Sequence, residues 1–382
     1  MTLTGFILRN ALRNKRRLML TVLSVAVSLF LFTTLQTALR LMTQPPTTDQ
    51  AALRIVTRHR VSLANVLPEK YQSRIERVPG VQYCSKFTWF GGIYKDPSLS
   101  NFAQFAVDAD RIFKIFPEMA VETQQEAEFI KEKSSCVVGA KLLERFGWKI
   151  GDKITLLGSI WPCDPELTIR GVYHGRGIDE TLLLFHHDYF NELMNDRGLV
   201  GTFWIKAESA EVIPDLMARI DAGFRNSDAE TKTETERSFQ LTFISMLGNV
   251  KLFLGAISTV IVFTMLLVTA STMSMAIRER AREIAILKAL GFNGLDVFGL
   301  ILAESFGLAI TGGVIGTFGT KLLFSHVDIY KLSNGNIPLF PVTSDTLVLG
   351  LVVATLLGLI SSLAPAYSSI KMSVVEGLQE LD

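Results

Sequence analysis

The side chains that could do chemistry are few and scattered. No G-x-x-x-x-G-K-[ST] run occurs, so this stretch of chain carries no Walker-type phosphate cradle. Neither H-E-x-x-H nor G-x-S-x-G occurs, which leaves no zinc-hydrolase helix and no nucleophile elbow. His186-His187-Asp188 is the one close His/Asp cluster. Adjacent side chains leave a helix or strand on different faces, so the cluster reads as a solvated turn, not a metal site. Cys84, Cys136 and Cys163 are too few for a four-cysteine site. One disulfide could form among them, and the sequence does not choose the pair. No catalytic and no metal-binding residue is assigned. What stands out instead is one acid, Glu304, inside an apolar run, and the mixed charged and apolar stretch 278–291.

The elements that must position these residues are set by hydropathy. The chain has 382 residues, of which 48% are hydrophobic and 20% charged. With a mean hydropathy of +0.32 it is too apolar for an ordinary soluble enzyme, and its charge is too low for a disordered chain. The formal net charge of +1 gives no global basic field, so no nucleic-acid partner is expected. The apolar residues concentrate in four blocks, 18–39, 252–277, 297–320 and 346–370, interrupted by a single charge at Glu304. A bilayer core of about 30 Å needs about 20 helical residues, and each block is long enough. The first block is too long for a signal-peptide core of roughly 7–15 residues and has no convincing cleavage site, so it reads as a retained anchor. The four transmembrane helices are drawn at 18–42, 250–277, 296–322 and 346–370.

Charge then orients the spans. Arg9, Arg13, Lys15, Arg16 and Arg17 precede the first; Arg278, Arg280, Arg282 and Lys288 follow the second; Lys371 follows the fourth. The positive-inside rule puts both termini (1–17 and 371–382) and the 278–295 loop in the cytoplasm, with 323–345 a short loop outside. Residues 43–249 then form one large domain outside. Leu167–Tyr173 and Phe203–Ala207 read as strands, 151–158 as a turn into a strand, 209–224 as an amphipathic helix and 124–133 as an exposed polar segment. The expected fold class is a membrane protein with four transmembrane α-helices and a large α+β extracytoplasmic domain between helices 1 and 2. The polar stretches 44–60 and 225–249 are expected to be helical stalks continuing the spans.

Ala281, Ile284, Ala285 and Lys288 share one helical face, and Gly291 is a natural stop. A short helix should follow the second span, its apolar face covered by its own bundle or by another protein. Glu304 sits about two turns into the third span, as a coupling contact or as a carboxylate that holds helix register. Gly312 and Gly316 are in GxxxG register and read as a close-packing surface. The 159–165 loop reads as a rigid turn, with a partner-binding hook as the alternative.

Arg278-Glu279-Arg280 through Glu283–Gly291 closely resembles the signature after the second span of FtsX-like permeases, the membrane subunits of MacB-like (type VII) ABC transporters. Leu12–Arg17 resembles the start of that family, and Ala364–Tyr367 with Val374–Leu378 resembles its end. Val138–Leu143, Lys149–Ile154 and Ile169–Tyr173 are similar to the MacB-type periplasmic core domain. The resemblance implies a non-catalytic membrane subunit in the bacterial inner membrane. It implies a separate ABC ATPase in two copies, which would bind ATP and Mg, so that no cofactor is held here. It further implies a second permease, expected to be a homodimer partner, with a periplasmic adaptor as a further candidate and membrane lipids around it. Arg278, Glu279, Arg280, Arg282, Glu283, Ile284, Leu287, Lys288 and Gly291 would form the ATPase-coupling segment. The expected activity is export or extraction of a lipid, lipoprotein, peptide or toxic compound. The alternative is an FtsX-like mechanotransmitter acting on a cell-wall hydrolase outside the membrane.

Overall fold

The computed structural model describes residues 15–43, 48–97, 102–175, 179–246, 248–327, 329–333 and 340–371. The basic residues Arg9 and Arg13, the family-like start at Leu12–Arg17 up to Asn14, and Val374–Leu378 lie outside the described residues. The chain divides into two units: one of the four long apolar helices, the other of residues between the first two of them together with 329–333.

In the first unit the spans are Lys15–Thr43, Val250–Glu279, Gly294–His326 and Ser344–Lys371. Many hydroxyls inside them are satisfied by the carbonyl one turn back, as in Thr33 Oγ1 to Leu29 O at 2.7 Å and Thr317 Oγ1 to Gly313 O at 2.7 Å. Span 3 begins with a reciprocal capping box between Asn293 and Asp296. Small residues let the spans approach. A Cβ at Gly312 would lie 2.8 Å from Val25 Cβ of span 1, and one at Gly316 would collide with Ala26 O. On the next face of span 3, a Cβ at Gly313 would lie 2.6 Å from Ala354 Cβ of span 4. Span 3 is thus in backbone-close contact with spans 1 and 4, the packing that dispersion requires where lipid is as apolar as the helix. Span 2 packs on this trio through Met265, beside Val25, Leu29, Phe32 and Leu357. Its Phe253, Val260, Phe263 and Leu267 stay exposed. Arg40 and Asp345 pair at 2.6 Å, joining the end of span 1 to the start of span 4.

The second unit is built on twelve strands: β1 Arg54–His59, β2 Leu67–Pro68, β3 Val81–Trp89, β4 Gln104–Val107, β5 Met119–Val121, β6 Ser135–Gly139, β7 Lys153–Thr155, β8 Glu166–Gly175, β9 Leu183–His186, β10 Leu199–Val200, β11 Thr202–Ala207 and β12 Thr231–Thr235. Ten form one sheet in the order β12-β1-β11-β3-β4-β9-β6-β8-β5, with β7 on β8; β2 and β10 pair separately. Most neighbours are antiparallel, and β4/β9 and β6/β8 are parallel. The expected strands at 167–173 and 203–207 lie in β8 and β11, and the helix at 209–224 is Ile213–Gly223. Helices cover both faces: Ile213–Gly223 buries Leu216 and Ile220 with Ile55, Phe203 and Ile205. Phe129, from the helix Thr123–Lys131, is buried with Val107, Val137 and Leu184. The 124–133 segment is therefore not wholly exposed: one aromatic anchors it.

The stalk expectation is corrected at both ends. Residues 54–59 and 231–235 are paired strands, with Val56 opposite Glu234. Among the described residues of the two stretches, only Asp49–Leu53, a 3-10 turn, and Glu236–Met246 are helical. The β-branched run Ile55-Val56-Thr57 favours a pleated, half-buried surface over a helix. Charges that look solvated in sequence are neutralised across strands: Arg58 Nε meets Glu234 Oε1 at 2.7 Å, with both side chains buried. The 159–165 loop is a braced turn. Gly158 N donates to Asp164 Oδ1 at 2.8 Å, and Trp161 Nε1 to Trp89 O at 2.9 Å.

Candidate coupling site

Span 2 does not run smoothly into the segment that follows it. The helix stops at Glu279, Arg280 leaves helical geometry at φ −110° and ψ 14°, and a new helix covers Ala281–Ala289. It ends in a Schellman motif: Phe292 N donates to Leu287 O at 3.1 Å and Gly291 N to Lys288 O at 3.1 Å. Gly291 has φ +97°, a left-handed conformation that favours glycine. Sequence and geometry meet here, since strong helix formers fill 281–290 and the stop falls on the residue type best suited to it.

The break aims Arg280 inward. Its Nη1 donates to both oxygens of Glu304, at 3.0 and 2.8 Å. The two side chains are only 10% and 8% exposed. A lone carboxylate among Met273, Ile277, Ile284, Val297 and Ile301 would be costly, and the guanidinium is its counter-charge. At the next residue, Ser305 Oγ donates to Gly358 O of span 4 at 3.0 Å. At its other end the short helix holds span 4 as well. Lys288 Nζ donates to Ser369 O at 2.8 Å and to Ile370 O at 2.9 Å. These carbonyls lie in the last described turn of span 4, where a lysine ammonium also suits the negative end of the helix dipole. The Ala281–Ala289 helix is therefore pinned to span 3 at one end and to span 4 at the other. Between the short helix and spans 2 and 3 lies a cavity of about 410 Å³, lined by Met273, Ile284, Leu287, Val297, Ile301 and the Arg280–Glu304 pair.

Ala281, Ile284 and Ala285 are buried on the chain's own bundle. The opposite face carries Arg282, exposed Ile286 (46%) and Leu290 (73%), and leads to Phe292 and Leu295, also exposed. Arg278 and Glu279 lie on the exposed last turn of span 2, and Glu283 and Leu287 are half-buried beside the cavity. Arg280, Ile284, Leu287, Lys288 and Glu304 are thus gathered around one cavity or its helix. Gly312 and Gly316 belong to the contact with span 1 instead. What the sequence does not show is the pairing: Arg280 and Glu304 each stand out, yet nothing links them in the linear text. The Ser369 and Ile370 carbonyls carry no side-chain signal at all.

The α+β unit holds two buried charge clusters. Arg54, 1% exposed, pairs with Glu118 at 2.7 Å and Glu236 at 2.5 Å, and Thr48 Oγ1 donates to Glu118 at 2.6 Å. Burial raises the Glu236 carboxyl despite Arg54. The Thr48 and Arg54 hydrogen bonds hold Glu118 low against the same effect of burial. This cluster joins the residues that lead in from span 1 to the helix that leads out towards span 2. The second cluster corrects the reading of 186–188 as a solvated turn. His186 closes β9, and its Nε2 lies 2.6 Å from Phe129 O. His187, 1% exposed, starts the helix His187–Leu193. Burial, and then the nearby Lys86 charge, push its pKa down to about 3, while the Leu199 backbone acts weakly the other way. Cys84 and Cys136 are buried free thiols, held well above the usual thiol range by burial, and Cys163 is free and half-buried.

Four helices long and apolar enough to span a membrane, with a large α+β domain inserted between the first two, define a multi-pass membrane protein. The chain belongs to the MacB-like periplasmic core domain and FtsX-like permease family, matching the former over residues 18–222 and the FtsX-like permease C-terminal family over 255–374. It is 23% identical over 329 residues to an uncharacterized ABC transporter permease of Methanocaldococcus jannaschii, covering 83% of this chain and 80% of that protein. It is 25% identical over 206 residues to the ABC transporter permease YtrF of Bacillus subtilis, covering 50% of this chain and 45% of YtrF. It is 27% identical over 163 residues to the macrolide export ATP-binding/permease protein MacB of Nitrobacter winogradskyi. That match covers 41% of this chain and 22% of MacB.

Proposed function

We propose that this ABC transporter permease passes ATP-driven motion from an ABC ATPase, bound at the Ala281–Ala289 helix, to spans 3 and 4 and onward to the α+β domain. One observation carries the proposal: the short helix is clamped to its own bundle through Arg280–Glu304 and Lys288, and turns an apolar, basic-edged face of Arg282, Ile286 and Leu290 outward. A helix held this way moves spans 3 and 4 when it is pushed. ATP can drive the motion only if the ATPase binds the two arrangements with different affinity. On this reading the 278–295 segment and both termini are cytoplasmic, and the α+β domain lies outside the bacterial inner membrane. Two ATPase subunits serve a pair of permeases, taken as a homodimer, with an adaptor as a possible third component. The proposed task is export or extraction of a lipid, lipoprotein, peptide or toxic compound. ATP and Mg belong to the ATPase.

The test is Ile286→Asp and Leu290→Asp in the reconstituted complex. Both side chains are exposed, Ile286 at the rim of the cavity and Leu290 beyond it, so the variants should fold and insert as the parent does while losing the ATPase and its permease-dependent ATP turnover. Undiminished turnover in both variants would remove this face from the docking role.

A further inference from the structure

The pocket beside β3 holds more anionic charge than its lysine balances. Lys86 Nζ lies 2.7 Å from Glu69 Oε1, 3.0 Å from Asp188 Oδ1 and 3.2 Å from Asp108 Oδ1. Three carboxylates against one ammonium leave two negative charges. Arg111, which also faces Asp108, is engaged with Glu76 and Asp110. Beside the carboxylates, His187 is 1% exposed, and neither ring nitrogen has a hydrogen-bond partner at normal distance and angle among the described residues. An imidazole taken out of water in this way calls for an explanation. One His187 nitrogen, one Glu69 oxygen and one Asp188 oxygen lie within 4.8 Å of one another.

We propose that Glu69, His187 and Asp188 form a site for a divalent transition ion of the zinc class, and that Lys86 is the resident cation the metal displaces. Three features fit. A dication matches the excess of two negative charges, once the ammonium keeps Asp108 as its own partner. Asp108 is held back for that role, since it accepts from the Lys86 backbone N–H at 2.9 Å and from Gln72 at 2.6 Å. The donor set of one imidazole and two carboxylates is one that zinc takes, and three protein ligands leave a fourth position for water or a ligand group. The frame is braced as well. Glu69 N donates to Gly198 O at 2.8 Å, and Gly198 N donates to Asn191 Oδ1 at 2.9 Å. These bonds tie the end of β2 to the His187–Leu193 helix. The ligand atoms must draw together by about 1 Å to reach zinc bonds of about 2.0–2.2 Å. The Glu69 and Asp188 side chains, 32% and 60% exposed, have the freedom to do so.

The experiment uses the full chain in detergent, freed of any histidine tag, stripped with chelator and dialysed against buffered zinc, with metal counted by mass spectrometry. Cobalt absorption in the same site reports geometry. The expected result is one zinc per chain and the visible bands of four-coordinate cobalt. His187→Gln or Asp188→Asn should weaken zinc at least roughly tenfold, the lower end of what even an outer-shell change costs a metal site. Lys86→Met should tighten it by a similar factor, an effect no structural role of the lysine predicts. Asp188 is partly exposed, so its variant carries the test if His187→Gln fails to fold. Zinc absent at one equivalent, zinc unaffected by Asp188→Asn, or zinc weakened or unchanged by Lys86→Met would each overturn the proposal.

Discussion

The Arg280–Glu304 pair offers the sharpest test of how the short helix is fastened. Both side chains are about nine-tenths buried, so solvent screens them little. Removing one partner strands the other charge in an apolar cavity. Arg280→Met or Glu304→Leu should therefore each cost about 3–5 kcal/mol. Replacing both with apolar side chains removes the two desolvation penalties together, and buried pairs treated this way are often neutral. The double variant Arg280→Met/Glu304→Leu should sit within about 1 kcal/mol of the parent, an interaction energy of at least about 5 kcal/mol in the mutant cycle. Equilibrium unfolding in mixed micelles reads all four corners. If stability returns in the double variant, ATP turnover of the complex should still be lost, because the apolar pair fills space without fixing the angle between the short helix and span 3. Additive single effects, with an interaction below about 0.5 kcal/mol, would refute the claim that the pair acts as a unit.

Three further outcomes are expected. Gly316→Ala drives a methyl into Ala26 O and should cost about 1–3 kcal/mol in the same unfolding assay, whereas Gly319→Ala, with nothing within 4 Å, should be neutral or stabilising by about 0.5–1 kcal/mol. Arg54→Met leaves Glu118 and Glu236 buried together and should destabilise the α+β unit by about 3–5 kcal/mol. Tryptophan fluorescence isolates that effect, because all four tryptophans (89, 148, 161 and 204) lie in this unit. In a Cys163→Ser background the buried Cys84 and Cys136 should stay silent to a membrane-impermeant maleimide. Ala210→Cys should then label from outside and Leu295→Cys only after the inner face is opened; the reverse pattern would invert the proposed orientation.

The spans are legible in the text because lipid leaves the chain little choice: an uncharged run of some 20 residues has few other places to go. The strands at 167–173 and 203–207 are legible for a related reason, since alternation and β-branching act locally. The misread segments are those whose surroundings lie far away in sequence. Residues 54–59 and 231–235 look like polar stalk until Arg58 is seen to face Glu234, and Arg54 to face Glu118 and Glu236. His186 and His187 do point apart, as adjacent residues must, but burial by Phe129 and a partner as remote as Glu69 cannot be read from their neighbours. The same holds at the coupling site. The Gly291 stop is local and visible in the sequence; the Arg280–Glu304 contact is tertiary and is not.

The coupling role of the short helix requires that an ATPase bind the 278–295 segment. The most direct measurement is purification of the tagged full chain in mild detergent, with quantitative mass spectrometry of what accompanies it. The expected result is an ABC ATPase at one copy per permease, lost on Ile286→Asp. A folded, monodisperse chain that carries no ABC ATPase under conditions preserving such complexes would contradict it.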